Sequence, residues 1–224
     1  CPQCQGPRRR RWLEAQRALL VPVPHFQVVF TLPAELRPIA RAFPRPVYDL
    51  LMKAAYATLA KLAATKWRAT PAVLAVLHTW ARDLSFHPHV HCVVSAGGMT
   101  DDDHWRSVSA EFLFHVRPLQ ALFRGRFLAG LAELDLPLDR SQRIRLRNAR
   151  RTAARKRWIV HVEPPQGRHP AQMVKYLARY VYQTAISDHR MVAVADDTVT
   201  IRTRDAAITL TGPEFVRRFA LHVL

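Results

Sequence analysis

From residue 87 to residue 96 the sequence reads HPHVHCVVSA. From His89 to Ala96 it is apolar or β-branched apart from two histidines and a serine, the pattern of a strand inside a sheet. Side chains alternate along a strand. His89 and His91 therefore project from one face, about 7 Å apart, and Val90 is buried on the other. Two imidazoles so placed converge on one divalent cation, and the competing reading is a histidine-rich strand end that only packs. His87 precedes Pro88 at the strand entrance, and Gly97-Gly98 closes the strand. Whatever else the chain does, it must build a sheet around this segment.

The flanking pattern says which kind of sheet. Residues 26–32 (FQVVFTL) are β-branched and aromatic and stop at Pro33, which predicts a strand. Residues 71–80 (PAVLAVLHTW) are apolar enough for a buried strand that forms an antiparallel hairpin with 89–96. Residues 158–163 make another strand, and 191–195 and 199–203 flank Asp196-Asp197 as a second hairpin. Helices are expected over 12–20, 46–66, 118–134 and from Pro170 to about residue 183. Thr211, Pro213 and Glu214 open a last one as a capping box. There is no regular βαβ rhythm, and seven glycines leave no Gly-rich phosphate loop. The expected class is α+β, not a doubly wound nucleotide binder.

The 224 residues make one domain, or one with a small appendage, and a hydrophobic fraction of 49% supplies its core. No uncharged apolar run reaches the roughly 18 residues a membrane span needs. Position 1 is Cys1, no signal-peptide pattern follows it, and the last helix has no stop signal before Leu224. The expectation is a fragment trimmed at both ends, with the cytoplasm as its default location.

Charge narrows the partners. The chain has 34 Lys+Arg against 17 Asp+Glu, a net charge of +17, and all but five of the cations are arginines. Arginine forks match phosphate oxygens and stack on bases, which suits nucleic acid. A high-GC genome explains arginine over lysine but not the excess over acids. The densest block is Arg140, Arg143, Arg145, Arg147, Arg150, Arg151, Arg155, Lys156 and Arg157, without one acid. Such a block repels itself unless an anion screens it, so it is expected to track a DNA backbone, with Trp105 or Trp158 as stacking platforms. A solvated helix face is the bland alternative.

Two further groups bear chemistry. Tyr176 and Tyr180 stand four apart on the helix opened by Pro170, which places both hydroxyls on one face. The pair equally fits tyrosines packed on a sheet. Cys1 and Cys4 form a CxxC, at most half of a zinc site. Cys92 reads as a buried strand residue.

A His-hydrophobic-His strand plus helical tyrosines resembles the HUH endonuclease constellation. The chain is similar to the two-tyrosine HUH transposases of bacterial insertion sequences, the IS-ninety-one type that moves by rolling-circle replication. The blocks CPQCQ, VPHFQVVFTLP, LHTWARDLSFHPHVHCVVSAGG, KYLARYVYQTAIS and EFVRRFALHVL appear in that family's order. The resemblance implies an HUH-like antiparallel sheet flanked by helices. It implies His89 and His91 as ligands of Mg²⁺ or Mn²⁺, Tyr176 and Tyr180 as nucleophiles, and Cys1 and Cys4 as the remnant of a zinc module. Residues 1–24 would then be that remnant with a linker, and 25–224 the catalytic domain. The implied activity is nicking of single-stranded DNA at transposon ends through a 5′-phosphotyrosine, followed by strand transfer. A hard cation needs a third ligand. His78 on the preceding strand is the first choice, although it reads equally as a core histidine; Gln183 is the competitor and Asp83 the third candidate. The alternatives are a DNA-binding remnant that does not cut and a hydrolase of small phosphate esters, for which the basic block has no evident use.

Overall fold

A computed structural model describes the chain except residues 1, 166–169, 183–185, 204–205 and 222–224; the side chains of 2–5, 170, 176, 179, 180, 182 and 188 also lie outside the description. The described residues are a mixed α+β structure with antiparallel strands, as expected. They fall into two compact units, one of residues 20–77 and 88–173, the other of 1–19, 78–87 and 174–224. The division passes through one hairpin, whose two strands run on unbroken.

The larger unit is built on a sheet of β1 (His25–Thr31), β2 (Thr70–Trp80), β3 (Phe86–Met99), β4 (Trp105–Ser107) and β5 (Val160–Glu163). The order is β2-β3-β1-β5, with β4 added on β3. Only five residues join β2 to β3, so the pair is a hairpin, since parallel strands need a far longer crossover. In β1–β3, Val29 faces His91 and Thr31 faces His89; in β1–β5, Val29 faces His161 and Gln27 faces Glu163. Alternation then sorts the sheet into two faces. One presents Phe26, Val28, Phe30, Val90, Cys92 and Val94, all buried. The other presents Gln27, Val29, Thr31, His89, His91 and His161.

Two helices belong to the core of this unit, α3 (Pro44–Trp67) and α4 (Val116–Glu133). Phe123 stacks obliquely on Phe30 at 4.8 Å and meets Trp158 edge-on at 5.1 Å. The helices come close where Gly130 lies against Leu50: a Cβ on that glycine would stand 2.4 Å from a Leu50 methyl. A short helix, α2 (Arg37–Ala42), precedes α3, and α5 (Arg140–Arg155) follows α4.

The smaller unit carries a second sheet, β6 (Met191–Ala195), β7 (Thr198–Arg202) and β8 (Ala207–Thr211), in that order. Its core is Leu84, Ile186, Val199, Ile201 and Leu210, with Trp80, Phe215 and Phe219 packed against it. Arg190 donates to the Arg82 carbonyl, and Arg218 to the Asp83 carbonyl, so the tip of the β2–β3 hairpin is held to the residue before β6 and to the last helix of this unit. The unit also contains α1 (Pro2–Leu19), most of α6 (Pro170–Tyr182) and α7 (Gly212–Ala220).

Three sequence expectations are corrected. The N-terminal helix is not confined to 12–20 but runs from Pro2 to Leu19 with Pro7 inside it; Pro2 costs nothing in the first turn, and Arg8–Arg11 favour helix strongly enough to extend it. Gly97-Gly98 do not close the strand. They lie inside β3, where backbone passes so near that a Cβ on Gly97 would meet the Arg106 carbonyl at 2.4 Å and one on Gly98 the Thr70 carbonyl at 2.5 Å. Trp158 is no stacking platform: it is 1% exposed, and its indole N–H donates to the Ala153 carbonyl.

Candidate metal centre and nucleic-acid interface

Residues 70–80 and 86–99 are rich in β-branched and aromatic residues and pair as one hairpin, which sets His78 on β2 near His89 and His91 on β3. One ring nitrogen from each histidine takes part in a cluster in which all three atoms lie within 4.8 Å of one another. The rings of His89 and His91 are 5.0 Å apart. An ion with donors about 2.1 Å away spaces them about 3–3.4 Å apart, so small ring rotations bring the three onto one centre. His78 and His91 are buried, and His89 is half-buried.

The electrostatics suit a cation. Burial, and to a lesser degree the neighbouring His89, hold the His91 pKa down at about 3. Its imidazole is neutral at pH 7, and only a neutral imidazole has the lone pair a metal takes. His91 is also oriented: its Nδ1 lies 3.0 Å from the side-chain amide of Gln27. Nothing in the sequence singled out Gln27; only the β1–β3 register sets it two residues from Val29 on the same face, next to the histidine row.

The donor set tests the cation. Three imidazoles are borderline nitrogen ligands, whereas Mg²⁺ prefers oxygen. The residues therefore fit a transition-series dication better than Mg²⁺. Asp83 is occupied elsewhere: its carboxylate accepts from the Ser85 hydroxyl at 2.7 Å, and Arg218 lies 3.8 Å away. Gln183 lies outside the described residues.

Tyr176 and Tyr180 sit on α6, where Met173, Val174, Leu177 and Ala178 are buried. The two tyrosine side chains are outside the description, as are those of Cys1 and Cys4.

The basic block forms α5 and the turn after it. Asp139 caps the helix in a reciprocal capping box with Gln142, a local signal that starts the helix where the charge begins. Arg140, Arg143, Arg145, Arg147, Arg151 and Arg155 are exposed. Arg140, Arg143 and Arg147, three and four apart, line an open cleft with Leu138 and Ile144. The rest of the block is tied into the protein. Arg150 donates to the Leu128 carbonyl, Lys156 pairs with Glu35, and Arg157 donates to Gln120. Trp105 is half-buried, its ring against Gly97. No helix among the described residues is long and apolar enough to cross a membrane.

Known proteins place the chain. The family model Y2_Tnp, described as "Putative transposase", matches residues 72–224, and the model Zn_Tnp_IS91, "Transposase zinc-binding domain", matches 1–32. The chain is 39% identical over 244 residues to "Putative transposase y4qJ" of Sinorhizobium fredii, covering 100% of this chain and 61% of that protein. It is 30% identical over 199 residues to the transposase for insertion sequence element IS801 of Pseudomonas savastanoi pv. phaseolicola, covering 85% of this chain and 47% of that one. It thus spans less than two thirds of the length of either relative. Among solved structures it is similar to the conjugative relaxase TrwC in complex with oriT DNA, metal-bound, at TM-score 0.40 and 18% identity, covering 53% of this chain and 47% of that one. The same relaxase with mutant oriT DNA gives TM-score 0.40 and 20% identity over 73% of this chain and 68% of that one. The transposase model takes in both strands of the histidine cluster, the basic helix and the tyrosine helix. The chain belongs to the Y2_Tnp family of insertion-sequence transposases.

Proposed function

We propose that this chain nicks single-stranded DNA at transposon ends and transfers the strand through a covalent tyrosine link. The observation that carries the reading is the convergence of His78, His89 and His91 on one hairpin. In this reading His89 and His91 hold the cation, His78 is its third ligand, and Mn²⁺ serves better than Mg²⁺. A cation held by these histidines would supply Lewis-acid polarisation of the scissile phosphate and offset the charge that builds on its oxygens. The chain supplies the nucleophile. The hydroxyl oxygen of Tyr176 or Tyr180 attacks phosphorus in line and gives up its proton. The P–O3′ bond breaks, the 3′ oxygen takes up a proton, and the 5′ phosphate stays on the tyrosine. A phenol is weakly nucleophilic at its ordinary pKa of about 10, so attack depends on charge stabilisation at phosphorus. The new ester conserves the energy of the phosphodiester, and a free 3′-OH reverses the step elsewhere without ATP. Two tyrosines allow one DNA end to be held while a second is cut.

The exposed arginines of α5 hold the DNA backbone, with Trp105 as a base platform. Residues 1–24 belong to a zinc module in which Cys1 and Cys4 are ligands, and 25–224 to the catalytic domain. The protein works on DNA in the bacterial cytoplasm.

The test is cleavage of labelled single-stranded oligonucleotides in Mn²⁺. We expect nicking that is lost in chelator and reduced at least about 100-fold, as when a catalytic electrostatic group is removed, in His89→Ala and His91→Ala. Oligonucleotide binding without metal-dependent cutting would support the DNA-binding remnant instead.

A further inference from the structure

The hydrogen bond between Gln27 and His91 joins a residue of unassigned role to the metal centre. Gln27 pairs with Val93 and His91 with Val29 in the β1–β3 register, so the two are diagonal neighbours on one face. They are 9% and 7% exposed, and as placed it is the amide nitrogen of Gln27, Nε2, that stands 3.0 Å from His91 Nδ1. A half-turn of the amide exchanges its oxygen and nitrogen at almost the same positions. Imidazole chemistry chooses between the two. If the amide N–H donates to Nδ1, neutral His91 carries its proton on Nε2 and cannot bind a metal there. If the amide oxygen accepts from Nδ1–H, Nε2 carries the lone pair. The second arrangement also suits the neighbourhood. Glu163, which is Gln27's partner in the β1–β5 register, puts an acceptor for the amide hydrogens on the same face.

We infer that Gln27 is the positioning residue of the metal centre: its Oε1 accepts the His91 Nδ1–H and aims Nε2 at the cation. The inference rests on the metal reading above. Such a partner fixes the tautomer, fixes the ring plane and raises the basicity of the ligand, and its removal typically costs about 10–100-fold in metal affinity.

The experiment is Mn²⁺ titration calorimetry on the whole chain, as wild type, Gln27→Leu and Gln27→Glu. Melting in chelator checks that each variant is folded. Gln27→Leu should bind about 10–100-fold more weakly, and Gln27→Glu, which keeps the acceptor, should restore the affinity. A long-range ¹H–¹⁵N spectrum of the metal-free wild type should show His91 protonated at Nδ1. A folded Gln27→Leu that binds like wild type, or a Gln27→Glu as weak as Gln27→Leu, overturns the inference. Should Gln27→Leu not fold, the spectrum decides, and an Nε2–H His91 refutes the role. Wild type that takes up no Mn²⁺ refutes the metal reading itself, and this inference with it.

Discussion

At the scale of single residues, burial sets the chemistry of β3. His91 is kept neutral by the same desolvation that pushes the thiol of Cys92, one residue on and on the opposite face, up to about 12. One face of the strand thus offers a lone pair, while the other holds an inert thiol. The glycines that follow are there for space. Gly97 has φ 141°, a conformation side chains rarely adopt, and a carbonyl where its Cβ would go. Gly97→Ala should therefore destabilise the chain by about 2–3 kcal/mol, a strained backbone plus a clash. Urea unfolding measures it, and a loss under about 0.5 kcal/mol, typical of a neutral surface change, would mean the strand shifts freely. The placement of both histidines on one face was legible, because alternation alone dictates it. Gln27 was not, since a glutamine one place from a strand's centre carries no signal until the neighbouring strand is known.

At the scale of elements, legibility followed periodicity and length. The 24-residue α3 and the 11-residue β2 lie within a few residues of where their patterns placed them. The three-residue β4 and the five-residue β8 were missed, because they exist by pairing with Gly97–Met99 and Thr198–Arg202, not by any pattern of their own. Trp158 was misread for a related reason: its sequence neighbours are charged, but the partners that bury it, Phe123 and Phe127, lie on α4. The basic helix is a case in which a local signal suffices. Six exposed arginines repel one another, so α5 leans on its Asp139 cap, whose carboxylate accepts from the Gln142 amide at 2.7 Å. Asp139→Ala should cost about 1 kcal/mol and leave Mn²⁺ affinity untouched. Thermal melting checks the first effect and calorimetry the second. At the far end of the chain the capping box is only half made. The Thr211 hydroxyl caps Glu214 N, but the Glu214 carboxylate turns to Arg217 and Arg218, which hold its pKa down at about 2.

At the scale of the whole molecule, the net charge of +17 is the quantity that would meet DNA in the proposed reading. If the six exposed arginines of α5 each neutralise one phosphate, log K for a single strand should fall with log salt at a slope of about −4. Replacing Arg140, Arg143 and Arg147 by glutamine should bring the slope to about −2; an unchanged slope would place the DNA on another surface. In the proposed reading α5 holds the strand and the histidine hairpin serves the cutting, and the chemistry depends on which side chain joins to DNA. The decisive measurement is mass spectrometry of the adduct formed when the chain is incubated with a single-stranded transposon-end oligonucleotide and Mn²⁺, denatured in SDS and digested. A nucleotide bound through its 5′ phosphate to Tyr176 or Tyr180, absent in the double phenylalanine variant and in chelator, is the expected product. Nicked DNA with no protein attached, or an adduct on any other residue, would rule out these tyrosines as the nucleophiles.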